Sequence, residues 1–268
     1  MYKRQGWNSL PEGSVVILNG GKQSINNSVF FNNNGPLITT PGSNYQFIDS
    51  VNIDNSLFYN NSFIYSSARY QLAIGCNDNI DSRATIKNCT FSKNNIQTEE
   101  DDASIVRLGN NKVKFEYCNF SNVFSQELWN LNDQIFFNAE NNWWGHSSGP
   151  YHENYNPDGQ GGAVNLLVDA VPFLTEPDTL APIPPLTNLT VDTTGTDFAT
   201  VSWNSSKIGD LSSYRVYVDS SFYDVGLDTF YTLTNLNLGQ EYTVLVTCFD
   251  NSGEESWNSE QISVAPLS

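Results

Sequence analysis

Apolar and polar residues alternate along this chain in runs of about six, separated by Asn, Ser, Gly and Pro, and period-2 alternation at that length predicts strands rather than helices. One phrase recurs: Ile25-Asn26-Asn27-Ser28-Val29-Phe30, Ile53-Asp54-Asn55-Ser56-Leu57-Phe58, Ile86-Lys87-Asn88-Cys89-Thr90-Phe91 and Phe115-Glu116-Tyr117-Cys118-Asn119-Phe120. A fainter fifth copy reads Phe136-Phe137-Asn138-Ala139-Glu140-Asn141. First positions are 28, 33, 29 and 21 residues apart, which suits stacked turns of one coil joined by loops of variable length.

Aligned, the copies form columns. One is apolar (Ile25, Ile53, Ile86, Phe115, Phe136), one mostly Asn (Asn27, Asn55, Asn88, Asn138, interrupted by Tyr117), one small (Ser28, Ser56, Cys89, Cys118, Ala139) and one Phe (Phe30, Phe58, Phe91, Phe120). Residues one rung apart lie about 4.8 Å from each other, so ring stacks on ring. The Asn column falls where the strand direction must change. Asn suits that place because it tolerates left-handed backbone and its amide can bond the same amide on the next rung. Asn33, Asn61 and Asn94 form a second such column, three residues after each Phe, so much of the chain's content of 35 Asn is architectural. The Asn-x-Ser/Thr sequons at Asn26, Asn88 and Asn119 fall inside the phrase and read as repeat grammar.

These residues resemble the right-handed parallel β-helix repeat family, over roughly residues 10 to 176. The segment Asn141-Asn142-Trp143-Trp144-Gly145-His146-Ser147-Ser148-Gly149-Pro150 is similar to that family's closing coil, with Trp143 and Trp144 expected to close the hydrophobic end. The resemblance implies a pectate-lyase-like solenoid and is specific for fold, not for activity. Pro177, Pro182, Pro184 and Pro185 then predict a stiff linker at 177–186.

Seven short strands are predicted beyond it: Leu189 to Asp192, Thr200 to Trp203, Tyr214 to Val218, Ser221 to Val225, Phe230 to Leu233, Tyr242 to Phe249 and Gln261 to Val264. With Val201-Ser202-Trp203, Tyr214-Arg215-Val216-Tyr217 and Leu236-Asn237-Leu238-Gly239-Gln240-Glu241-Tyr242, residues 187–268 resemble a fibronectin type III sandwich. The resemblance implies that Trp203 is its core tryptophan and Tyr242 its corner tyrosine. The expected architecture is therefore all-β: a parallel β-helix over 1–176, the linker, and the sandwich.

Charge narrows the function. Lys and Arg number 12 against 29 Asp and Glu, a formal charge of −17, which argues against nucleic acid as a partner. Acidity is densest in the last 88 residues, with 11 acidic and 2 basic side chains. No apolar run reaches the length of about 18 residues that a membrane helix needs. Lys3 and Arg4 are followed by no apolar stretch, so no signal peptide is written here, and the chain reads as part of a larger secreted or surface-attached bacterial protein.

Candidate chemistry is sparse. The outward column beside the Ile column reads Asn26, Asp54, Lys87, Glu116, Phe137; a Lys between Asp54 and Glu116 reads as an alternating-charge ladder, not a catalytic carboxylate pair. Glu99, Glu100, Asp101 and Asp102 could hold Ca²⁺ but lack a Gly-bearing loop and read as a solvated acidic tip, so no cofactor is expected. His146 and His152 offer too few ligands for a copper site. Cys89 and Cys118 share the inward small column at a spacing a disulfide could bridge, and buried free thiols acting as small apolar groups are the favoured reading. The outward residues flanking the Phe column change from Val29, Phe31, Leu57 and Tyr59 to Thr90, Ser92, Asn119 and Ser121. The apolar half is either covered by a loop or open as a groove for sugar rings or a partner surface. The expected function is a monomeric, non-catalytic surface module for adhesion or glycan association, with polysaccharide or another surface protein as partner. The alternative is the terminal part of a polysaccharide lyase or glycoside hydrolase.

Overall fold

The computed structural model describes residues 16–17, 21–34, 37–39, 48–63, 70–74, 83–96, 104–108, 113–121, 126–130 and 137–267. Every regular element among them is a strand. The chain divides into two compact units, Met1–Pro182 and Ile183–Ser268.

In the first unit the chain returns to the same sheets in the same order. One six-stranded sheet holds Gly21–Asn26, Ile48–Asp54, Arg83–Lys87, Val113–Glu116, Phe137–Asn138 and Val168–Asp169. A four-stranded sheet holds Val29–Phe31, Leu57–Tyr59, Thr90–Ser92 and Asn119–Ser121. A second six-stranded sheet holds Val16–Ile17, Ile38–Thr39, Tyr70–Ile74, Ser104–Leu108, Gln126–Asn130 and Ala163–Val164. All pairings between these strands are parallel.

Register stacks like on like. Ile25, Ile53, Ile86 and Phe115 pair in succession, as do Phe30, Phe58, Phe91 and Phe120. The four Phe rings sit 4.9, 4.7 and 5.0 Å apart and nearly parallel. Between the two sheets Asn27, Asn55, Asn88 and Tyr117 take φ of 48°, 45°, 48° and 55°, the left-handed region in which a short amide side chain is tolerated. Asn55 Nδ2 donates to Asn27 Oδ1 at 2.7 Å. The column of Asn33, Asn61 and Asn94 forms an internal ladder: Asn33 and Asn61 each donate through Nδ2 to the next Oδ1, at 2.8 and 2.9 Å. Asn61 and Asn94 also bond the carbonyls of Phe30 and Phe58. A third Asn column went unread in the sequence: Asn32 and Asn60, at φ 53° and 50°, are joined side chain to side chain at 2.8 Å.

The fifth copy sits three residues later than the phrase suggests. Asn141, not Asn138, takes the left-handed turn, with φ 59° and its carbonyl bonded to Tyr117 N. Asn142 fills the small column, accepting from Cys118 N at 2.8 Å. Trp144 continues the Phe column, 4.7 Å from Phe120 and 9° from parallel, so it is a member of that column. Ala139 thus stands where Phe136 was expected; Phe136 itself lies outside the described residues. Phe137, expected outward, is fully buried on top of Val168, and Glu140 takes the outward position. The Phe136-Phe137-Asn138 triplet imitated the phrase, whereas the true copy replaced its large apolar residue with Ala and its Phe with Trp.

The predicted linker is shared between the units. Asn119 grips the backbone of Asp178, donating to its carbonyl at 2.9 Å and accepting from its N–H at 2.7 Å, while Thr90 donates to Pro182 O at 2.7 Å. Ile183 and Leu186 belong to the core of the second unit.

That unit is an antiparallel sandwich. Thr190–Thr194, Phe198–Ser202 and Phe230–Thr234 form one sheet; Ser221–Gly226, Leu211–Val218, Tyr242–Asp250 and Ile262–Val264 form the other. All seven predicted strands are present, each displaced by no more than three residues at an end. Val201, Tyr214, Val216, Val244 and Val246 are fully buried between the sheets, and Trp203 meets Tyr214 edge-on at 5.6 Å. Tyr242 Oη accepts from Asn237 N at 2.9 Å, the bond expected of a corner tyrosine.

Candidate functional site

The face singled out from the sequence is the outer side of the four-stranded sheet. Val29 pairs with Leu57 and Phe31 with Tyr59, so all four residues lie together in two columns. Leu57 is buried at 1% exposure and Val29 half-buried; the open part is Phe31, 38% exposed, beside the half-buried Tyr59. Lys93 Nζ lies 5.9 Å from the centre of the Tyr59 ring. One rung further on, Thr90 and Asn119 of the first column are covered, their polar groups bonded to Pro182 and Asp178.

On the neighbouring sheet Lys87 pairs with both Asp54 and Glu116, and Lys114 forms an ion pair with Glu116. Charges of both signs alternate from Asp54 to Glu116, and Glu140, one rung beyond, sets a second carboxylate beside Glu116. Glu99, Glu100, Asp101 and Asp102 lie outside the described residues. Among the described residues no group of three or more His, Cys, Asp and Glu side chains is placed to hold a metal ion. Cys89 and Cys118 are free and fully buried; burial, and then the neighbouring Cys89, hold the Cys118 thiol well above its ordinary pKa.

The two histidines have local duties. His146 Nδ1 bonds the Ser148 hydroxyl at 2.8 Å and accepts from Ser148 N. His152, 1% exposed, accepts at Nδ1 from the N–H groups of Asn154 and Tyr155, which places its proton on Nε2. Tyr151 and Tyr155 on either side of it went unremarked in the sequence. His152 and Asn156 close a tight antiparallel bridge, and Asn156 Nδ2 ties the loop to the carbonyls of Ser148 and Pro150. The Tyr155 ring lies on the His152 imidazole, centroids 3.5 Å apart and 19° from parallel. Its hydroxyl donates to Val168 O at 2.8 Å and accepts from Ala170 N. Burial, with the charge of Asp169, pushes the Tyr155 phenol up to about 12. Tyr155 nevertheless remains 39% exposed, and Tyr151 43%. An alternation of large aromatics in a loop, Tyr151 and Tyr155, was the available signal.

On the sandwich, Arg215 lies between the rings of Phe222 and Phe249, 4.3 and 4.6 Å from their centres, and bonds Asp224 at 2.6 Å. Tyr217 donates to Glu255 at 2.6 Å.

The family model for the fibronectin type III domain matches residues 184–264. Residues 184–264 are a fibronectin type III domain. The third fibronectin III domain of the human KIAA0343 protein is 21% identical, over 32% of this chain and 85% of that one, with a TM-score of 0.29. A myokine structure is also 21% identical, over 32% of this chain and all of that one, with a TM-score of 0.29. The Clostridium perfringens spore cortex lytic enzyme SleM is 23% identical over 34% of this chain and 30% of its own, again with a TM-score of 0.29. No curated protein matches the chain. Fibronectin type III domains occur in modular extracellular proteins, and here the domain supplies the corner bond of Tyr242 and the Trp203 core described above.

Proposed function

We propose that the chain is a non-catalytic module of a secreted or cell-surface modular bacterial protein, in which a right-handed parallel β-helix precedes the fibronectin type III domain and serves adhesion or glycan association. The observation that carries this reading is the stack of identical side chains, Phe on Phe and Asn on Asn, in parallel register over successive returns of the chain to the same sheets. Such a stack is a scaffold, and its outward column sets Lys87 between Asp54 and Glu116, with Lys114 also paired to Glu116, so these carboxylates are flanked by cations. Structural binding groups on a scaffold of this kind sit in its loops and exposed aromatics. Incubation of the chain with pectin, alginate and chondroitin tests the reading. No new reducing ends and no unsaturated uronate absorbance are expected; release of either by purified protein would overturn it.

A further inference from the structure

We propose that Tyr155, flanked by Tyr151, is a stacking platform for the ring of a neutral saccharide; the proposal rests on the reading of the chain as a non-catalytic surface module. The Tyr155 ring is fixed at three points. Its hydroxyl is saturated by Val168 O and Ala170 N, one face lies 3.5 Å from the buried His152 imidazole, and its own backbone N–H bonds His152 Nδ1. The imidazole is itself held by Asn154 N, so the support beneath the ring cannot turn. With the hydroxyl engaged inward and one face covered, Tyr155 as a whole residue is still 39% exposed. That exposure is assigned to the uncovered face, and an immobilised ring binds with little loss of side-chain entropy.

Size and charge select the ligand. A stable protein partner needs more than about 1,000 Å² of interface, far more than one hairpin bearing two rings presents, whereas a pyranose ring covers a single aromatic face. The formal charge of −17 disfavours sulfated or uronic sugars and leaves a neutral ring. Asn154 and Glu153, both exposed in the same turn, supply donors and acceptors for its hydroxyls.

Chitotetraose and cellotetraose, titrated into the full chain with ¹H–¹⁵N spectra recorded, test the assignment. Shifts are expected at residues 151–156 and 168–170. Tyr155→Phe keeps the ring and gives up a hydroxyl that points inward, so it should bind within about threefold of the parent; Tyr155→Leu loses the same hydrogen bonds and the flat face, and should bind at least about tenfold more weakly. Both variants lose the same internal hydrogen bonds, and because Tyr155→Leu also gives up the stack on His152, the spectra of both variants without sugar report whether the loop keeps its fold. Absence of shifts at these residues with both sugars, Tyr155→Leu binding like the parent, or equal weakening in both variants would each overturn the platform. Cleavage of a polymer in the assay above would instead overturn the non-catalytic reading, so the two failures are distinguishable.

Discussion

The two units solve the same problem, the burial of β-sheet faces, with opposite uses of polar side chains. In the first unit polar amides enter the interior and run along it as columns: Asn61 and Asn94 are fully buried and bonded rung to rung. In the sandwich polarity alternates along the central strands, and the core between the sheets is aliphatic and aromatic, with Val, Leu, Tyr and Trp. Of its buried hydroxyls, Ser256 and Ser259 each accept one backbone N–H, from Cys248 and Val246, and Thr247 donates to Glu255. In parallel register each residue meets its own kind one rung away, so an amide finds a partner wherever the amide is repeated. Antiparallel strands bring unlike positions together, so a buried amide there would lack that guarantee. Residue identity specifies the first unit; alternation specifies the second.

The largest test of that difference compares two aromatic deletions. Phe91→Ala removes a ring stacked on both sides and Trp203→Ala removes the core ring of the sandwich, and each should cost about 3–5 kcal/mol. Phe30, 8% exposed and the first ring of its column among the described residues, should cost less than Phe91 if stacking on both faces is what matters. Hydrogen exchange resolved to residues 48–121 and 198–250 reads the two losses separately; equal costs for Phe30→Ala and Phe91→Ala would break the argument for columns.

Buried polar groups come next. Asn61→Ala leaves Asn33 N, the Asn94 amide and Phe30 O short of a partner inside the stack, and should cost about 2–3 kcal/mol. Ser259→Ala, which strands a single N–H of Val246, should cost about 1 kcal/mol. Urea denaturation checks both, and the ladder has no special standing if the two costs coincide.

Legibility followed the same division. Four of the five phrases were readable because Phe recurs at the sixth position in all four and Ile and Asn in three of them, and the sandwich strands were readable because polarity alternates. The fifth copy was misplaced because Ala139, Asn142 and Trp144 satisfy the columns by volume and hydrogen bonding without repeating the letters. Proline content predicted a stiff linker but not its attachments: Asp178 and Pro182 are held through backbone groups by Asn119 and Thr90, 59 and 92 residues away. Such bonds leave no mark in the residues that accept them. Tyr155 was unreadable for a similar reason: its immobility comes from His152, Val168 and Ala170, which no local pattern links.

Backbone handedness gives a smaller test. Asn88 in the first unit and Asn235 in the second both sit at positive φ, 48° and 59°. Replacement by Ala should cost about 1 kcal/mol at either place, and replacement by Gly less, because only the Cβ strain is common to both. Any excess cost of Asn88→Gly over Asn235→Gly, measured by thermal unfolding, reports what the column itself adds.

The smallest effect is expected from Tyr155. Its phenol titrates at about 12 in the folded chain, against an ordinary 10.0, because burial and the nearby Asp169 disfavour the phenolate. The folded state therefore holds the proton more tightly than the unfolded state does. The contribution to stability is complete below about pH 10 and is lost as the pH rises from there toward about 12, since only the unfolded chain gains from ionising in that interval. The half-exposed ring makes the loss modest. Exchange protection of Val168 and Ala170 should decline over this range in the parent and less in Tyr155→Phe, which has no proton to lose. An identical decline in both would mean that the alkaline sensitivity resides elsewhere, and that the phenol is not anchoring the loop to the strand beside it.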